Sequence, residues 1–235
     1  MRFQVAVLCL CGCAQRVYSP PARGFALESP KTIGEDQTAV QLGGGVAGVA
    51  FGPTLVLGAI SVRHGVASEV DLVGDATWMA VTDSSGAGTD RNIYAAHVAT
   101  KIRPDGLPVA FLVGGGAGYA PAGGPYVAGD TSVIVGWENC WLVPFAQTGV
   151  LASVPLDPHA IDISQPADSH VVMDTPRVTY GWSVAGGLRL VLQHARCEAG
   201  LPPVSLVAVG GGTRLWDSRR SDGFATLGLG IELPL

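Results

Sequence analysis

Leu227-Gly228-Leu229-Gly230-Ile231-Glu232-Leu233-Pro234-Leu235 closes the sequence, and its alternation decides the fold. Successive side chains of an extended chain point to opposite faces. Leu227, Leu229, Ile231, Leu233 and Leu235 therefore share one face, and Gly228, Gly230 and Glu232 share the other. A last strand with so clean an apolar face suits a sheet immersed in lipid. There it must pair with the first strand, because an open edge would leave backbone groups without partners. The expectation is an all-β fold, an antiparallel up-and-down transmembrane β-barrel. The stretch points to a class and a location; it names no activity.

Composition agrees. The 235 residues include 33 Gly and 16 Pro, with 48% hydrophobic and only 14% charged residues, which is too apolar for a disordered chain. After the N-terminus no window of about 18 uninterrupted apolar residues occurs, so helical membrane spans are not expected. Apolar residues are dispersed instead, as alternating strands disperse them. The net charge of −5 is mild and no basic stripe occurs, which excludes nucleic acid as a partner. The length suits one domain.

The chain starts with one early positive charge, Arg2, and a short apolar stretch from Phe3 to Leu10, the pattern of a secretory signal. Leu10-Cys11-Gly12-Cys13 resembles the bacterial lipobox, which implies that Cys13 becomes the acylated, palmitate-bearing first residue of the mature chain. Ala14 follows it, which in the enterobacterial pattern favours the outer membrane. A plain cleaved signal without lipid is the alternative. Residues 1–12 are thus read as a signal peptide and 13–37 as a lipid-anchored periplasmic tether, Pro-rich and partly extended. A barrel plug is the other reading of that tether. Residues 38–235 form the barrel.

Ten alternating segments follow, at 38–51, 55–63, 69–81, 93–103, 109–119, 131–137, 141–154, 179–193, 204–216 and 224–235. Ten strands are favoured, with eight as the alternative if the first or the sixth segment is not a strand. An even count returns both termini to one side, the periplasm in this class. Connections at 64–68, 104–108, 138–140 and 194–203 are tight, whereas those at 82–92, 120–130 and 156–178 are longer and more polar. Cys140 and Cys197 fall in turns of the tight set, flanking the seventh and eighth segments, and an exported, oxidising setting permits a disulfide between them. No CxxC pairing suggests a metal site, and no cofactor is expected. Phe51, Trp78, Tyr94, Tyr119, Tyr180, Trp216 and Phe224 fall near one set of strand ends, and Phe111, Trp137, Trp141 and Phe145 near the other. Two such belts suit the interfaces of a bilayer.

The Cys13 lipobox, the alternating strands and the apolar last strand together resemble small bacterial outer-membrane β-barrel proteins. Ser61-Val62-Arg63-His64-Gly65 is similar to an Arg-aromatic-Gly turn seen in many of them. The resemblance spans residues 38–235 and implies the lipid bilayer and the barrel-insertion machinery as partners. It carries no catalytic motif, and the last residue is Leu235 where Phe is commoner.

Charges on a lipid face cost roughly 2–4 kcal/mol near the midplane, so those within strands are expected to point inward. Glu69, Asp71 and Asp75 share a face of the third segment, and His97, Lys101 and Arg103 a face of the fourth. Arg63, Arg189, Arg214 and Glu232 are assigned to the same interior network. The network is either a charged pore lining or, as we favour, paired charges closing a narrow barrel. Glycine runs at 43–45, 114–116, 186–187 and 210–212 begin no helix and carry no GKS or GKT, so they are not phosphate loops.

The loop 156–178 holds Asp157, His159, Asp162, Asp168, His170 and Asp174. Such groups can activate water or bind a cation, but their spacing matches no catalytic motif. The leading expectation is a lipid-anchored outer-membrane barrel with a structural or surface role, or a narrow passive pore, without catalysis. The alternatives are a soluble β-rich envelope lipoprotein that binds a small ligand, and an outer-membrane hydrolase using the Asp/His loop.

Overall fold

In a computed structural model of the chain, the strands are β1 (Thr38–Gly48), β2 (Thr54–Ala67), β3 (Val70–Thr82), β4 (Asn92–Ile102), β5 (Val109–Ala120) and β6 (Gly124–Gly136). They continue with β7 (Leu142–Pro155), β8 (Ile161–Ser164), β9 (His170–Met173), β10 (Thr179–Val191), β11 (Ser205–Trp216) and β12 (Ser221–Pro234), and a short helix, α1 (His194–Glu198), precedes β11. The structure describes residues 18–24, 27–48, 54–82, 92–120, 123–159, 161–164, 170–173 and 175–235.

Ten of these strands form a closed antiparallel barrel in the order β1-β12-β11-β10-β7-β6-β5-β4-β3-β2, while β8 and β9 pair as a separate hairpin. Closure is made by the two terminal strands, whose register runs from Ala39↔Pro234 to Gly48↔Ala225. Every barrel strand thereby has two neighbours, and no edge is left.

Alternation sets the two faces of the wall. On β12, Leu227 and Leu229 point outward and are 64% and 68% exposed, while Glu232 points inward and is buried. Around the wall Leu42, Ile60, Leu72, Val98, Val113, Val150 and Leu188 likewise face outward. Trp78, Tyr94, Tyr119, Tyr180 and Trp216 ring one end on the outside, and Trp137 and Trp141 the other. Two aromatics depart from the expected belts. Phe145 is buried in the lumen against Leu27, Val207 and Val209, and Phe224 packs inward against the Ala47, Leu57 and Met79 cluster. Room for the Phe145 ring comes from Gly187 on the adjacent strand. Phe51 lies outside the described residues.

The sixth strand begins seven residues before the expected position 131, at Gly124. Pro121, Gly123, Gly124 and Pro125 read as a loop, yet Tyr126, Ala128, Asp130, Ser132 and Ile134 continue one inward face. The first strand is described only as far as Gly48, and residues 49–51 of the expected segment lie outside the described residues. The connection 156–178, read as a long polar loop, contains the β8–β9 hairpin.

The two ends of the barrel differ. The long-loop end carries the connections 49–53, 83–91, 121–123, 156–178 and 217–220. The turn end carries 68–69, 103–108, 137–141 and 192–204, together with the start of β1 and the end of β12. There the Leu235 amide donates to the Thr38 carbonyl at 3.0 Å. Also at this end, Cys140 and Cys197 are joined by a disulfide with Cα atoms 5.5 Å apart, and the Trp141 ring stacks on His194 at 3.8 Å.

Candidate functional site: a lumen occupied by the N-terminal segment

The lumen holds protein. Residues 18–24 and 27–33, read from the sequence as part of a periplasmic tether, lie inside the barrel from the long-loop end to the turn end, and residues 34–37 lead into β1. Burial shows the difference: Ser19, Ala22, Leu27, Glu28, Ser29, Thr32 and Ile33 are all buried. Proline explains part of it. Pro20, Pro21 and Pro30 keep the segment extended and remove amides that would otherwise need partners, so it can thread a polar lumen.

At the long-loop end the Tyr18 hydroxyl donates to Asp222 Oδ2 at 2.9 Å, with the Arg220 guanidinium 5.6 Å from its ring centre. The Ser19 amide donates to Thr179 Oγ1 at 3.0 Å, and Ser153 Oγ donates to the Pro20 carbonyl at 2.7 Å. Tyr126, on β6, donates its hydroxyl to the Pro21 carbonyl at 3.3 Å. Ala22 then packs among Ala95, Ala120, Tyr126 and Ala128. Gly116 faces Ala22, and any side chain there would collide with it and with the β4 backbone.

The middle of the lumen is ionic. Arg23 Nε lies 2.8 Å from Asp75, and Arg23 Nη2 lies 2.6 Å from Glu28. Between β3 and β6, His97 is clamped by two carboxylates, with Nδ1 3.0 Å from Asp75 and Nε2 2.6 Å from Asp130. Toward the turn end Lys101 lies 3.4 Å from Asp71 and 3.7 Å from Glu28, and donates to the Lys31 carbonyl at 2.8 Å. Glu232 accepts from both Arg63 and Arg189, and Arg189 also donates to Ser29 Oγ at 3.1 Å. Four buried cations (Arg23, Arg63, Lys101, Arg189) thus meet four carboxylates (Glu28, Asp71, Asp75, Glu232). Charges removed from water are tolerable when matched in this way.

Apolar contact and backbone bonds complete the seal. Leu27 packs on Phe145, Val207 and Val209, and Gly230 across from it leaves the space its side chain fills. Gln41 Nε2 donates to the Leu27 carbonyl at 2.9 Å. The Ile33 amide donates to Asp71 Oδ1 at 3.2 Å, and Thr32 Oγ1 donates to the Ser68 carbonyl at 2.7 Å. The segment turns into β1 through Gly34, whose φ of +97° suits glycine, and the Asp36 amide bonds the Gly65 carbonyl at 2.9 Å. A side chain at Gly65 would run into the Gly34 carbonyl. Beside residues 21–24 a cavity of about 90 Å³ remains, lined among others by Asp130, Ser132, Gln147, Ser183 and Thr213.

Arg63, Asp71, Asp75, His97, Lys101, Arg189 and Glu232 all project into the lumen. Three residues assigned to the interior do not. Arg214 faces outward near the long-loop end of β11 and donates to Ser221 Oγ at 3.1 Å. So close to a strand end, its long stem lets the charged head reach water without turning inward. Glu69 sits in the turn after β2, and Arg103, just past β4, donates to the Leu107 carbonyl at 3.2 Å. The β2–β3 and β4–β5 connections lift both out of the lumen. Arg23, Glu28 and Asp130 are network members that the sequence reading missed. For Asp130 the signal was its shared parity with Tyr126 and Ser132. For Arg23 and Glu28 there was none, since a Pro-rich segment has no face.

In the 156–178 loop, His159 Nδ1 bonds the Asp157 carbonyl at 2.8 Å. Asp168 and Asp174 lie outside the described residues, as do the side chains of Asp162 and His170. Cys13 and the expected signal also lie outside them. Among the described residues no group of three or more His, Cys, Asp or Glu could hold a metal ion.

No family model matches the sequence, and no curated protein is found similar to it. Solved structures similar to it include the N-terminal β-barrel domain of Pseudomonas aeruginosa OprF, at 10% identity and a TM-score of 0.36, covering 85% of this chain and 99% of that one. Neisserial surface protein A is 11% identical with a TM-score of 0.41, covering 84% and 95%. The β domain of the Bordetella autotransporter BrkA is 12% identical with a TM-score of 0.41, covering 83% and 98%.

Proposed function

We propose that this chain is a bacterial outer-membrane β-barrel whose lumen is closed by its own N-terminal segment, giving it a structural or surface role rather than that of a passive pore. In this reading residues 1–12 direct export, Cys13 carries lipid, the last strand is presented to the barrel-insertion machinery, and the bilayer surrounds the wall. One contrast carries the proposal: the outward face is apolar over most of the wall, while the inward face sets ion pairs between small apolar clusters and is filled by residues 18–24 and 27–33. A soluble cup that binds a ligand would reverse that contrast, with a wet outside and an apolar inside. The Asp/His loop 156–178 is assigned to the surface and given no catalytic step.

The test is electrical. Full-length protein in planar bilayers is expected to show no steady conductance, because the ion pairs and the Leu27 cluster fill the lumen cross-section, and the cavity beside residues 21–24 is small. R23A/L27A, which removes one ionic and one apolar lock, is expected to produce open events. Steady conductance from the unaltered chain would overturn the closed barrel. Release of the protein from membranes by alkaline carbonate would overturn the membrane location.

A further inference from the structure

We propose that the barrel holds the chain ahead of Tyr18 on the outer side of the membrane, so that Cys13, and any lipid on it, lies at the outer leaflet. This rests on the outer-membrane reading above and reverses the side on which a periplasmic tether would place that residue.

The direction of the threaded segment carries the inference. It makes one pass, and the contacts at its two ends are different. Tyr18 bonds Asp222 beside the 217–220 connection, and the Ser19 amide bonds Thr179 beside the 156–178 connection, both at the long-loop end. At the other end Thr32 bonds the Ser68 carbonyl in a tight turn, and the Gly34–Asp36 bend hands the chain to β1. Between them, Arg23 reaches Asp75 and Glu28 reaches Lys101, so a slipped or reversed segment would separate both pairs. In a barrel whose termini face the periplasm, the long-loop end faces outward. Whatever precedes Tyr18 therefore leaves through the outer mouth.

Chain length then limits Cys13. It stands five residues before Tyr18. At no more than about 3.6 Å per residue, five residues span roughly 18 Å. A hydrocarbon core about 30 Å thick separates the two leaflets. That reach crosses the rim of the barrel to the outer leaflet but cannot return to the inner one while Tyr18 and Ser19 keep their partners.

The experiment is accessibility on intact cells expressing the full chain, with an epitope inserted directly ahead of Tyr18. Control epitopes follow His159 at the long-loop end and Glu198 at the turn end. The expected result is antibody binding to the first and the His159 epitopes on intact cells, and to the Glu198 epitope only after permeabilisation. If the first epitope behaves like the Glu198 epitope while the His159 epitope stays exposed, the threading direction is overturned and the membrane barrel stands. If neither the His159 nor the first epitope is reached and the protein is extracted without detergent, the outer-membrane reading itself fails. Labelling of R16C by a membrane-impermeant maleimide gives the same answer without an insertion: reaction on intact cells is expected, and reaction only after permeabilisation overturns the proposal.

Discussion

Glu232 shows how one residue ties wall and segment together. It is the carboxylate shared by Arg63 and Arg189, and Arg189 in turn holds Ser29 of the threaded segment. All three charged groups are buried, so removing the anion takes the shared carboxylate from both guanidinium groups and leaves Arg63 with the more distant Asp71, 4.0 Å away. E232Q is expected to cost about 3–5 kcal/mol, the usual penalty for breaking a buried pair from one side. Urea unfolding in micelles, followed by the loss of gel mobility of the folded barrel, measures it. R214A is the control: its side chain is exposed and bonded to Ser221 near a strand end, so a change within about 0.5 kcal/mol is expected. The same pair shows what parity can reveal. An ion in the middle of a strand has nowhere to go but inward, so the directions of Asp75 on β3 and His97 on β4 were legible. Near a strand end a long side chain can reach water from either face, and there the rule loses its force.

Among elements, the strands declared themselves through alternation, whereas the threaded segment did not. A strand advertises its two environments at every second residue, but residues 18–24 and 27–33 lie within the lumen and their burial shows no period of two. A trace of them lies in the wall instead, at Gly230, where the first atom an added Cβ would meet belongs to the Leu27 side chain. The turn-end connections carry another lock. The Cys140–Cys197 bridge spans a separation of 57 residues and joins the β6–β7 turn to α1. A loop of that length gives up about 4 kcal/mol of unfolded-state entropy in the chain-entropy model, an upper figure where the denatured chain stays compact. C140S, or treatment with reductant, should lower the unfolding midpoint accordingly. Because the bridge lies outside the lumen, neither should open a channel. Conductance after reduction would place the disulfide in the seal rather than in the scaffold.

For the whole molecule, the inversion of polarity between its two faces dominates. The apolar clusters inside are small and separated by ionic layers, while the largest continuous apolar surface is the outside of the wall. In water such a surface would drive association, and in a bilayer it is the solvent-matched face. Val98 lies mid-strand on β4, faces outward and is 67% exposed, so it discriminates between those two settings. In water an exposed Val→Arg change costs within about 0.5 kcal/mol. At a bilayer midplane the same arginine costs roughly 2–4 kcal/mol, falling toward zero near the interfaces. V98R in lipid vesicles is therefore expected to destabilise the barrel by that larger amount, and Y94R, nearer the aromatic ring at the long-loop end, by much less. Equal, negligible effects at both positions would mean that water rather than lipid wets the wall, and the leucines of the closing strand would then need a protein partner to cover them.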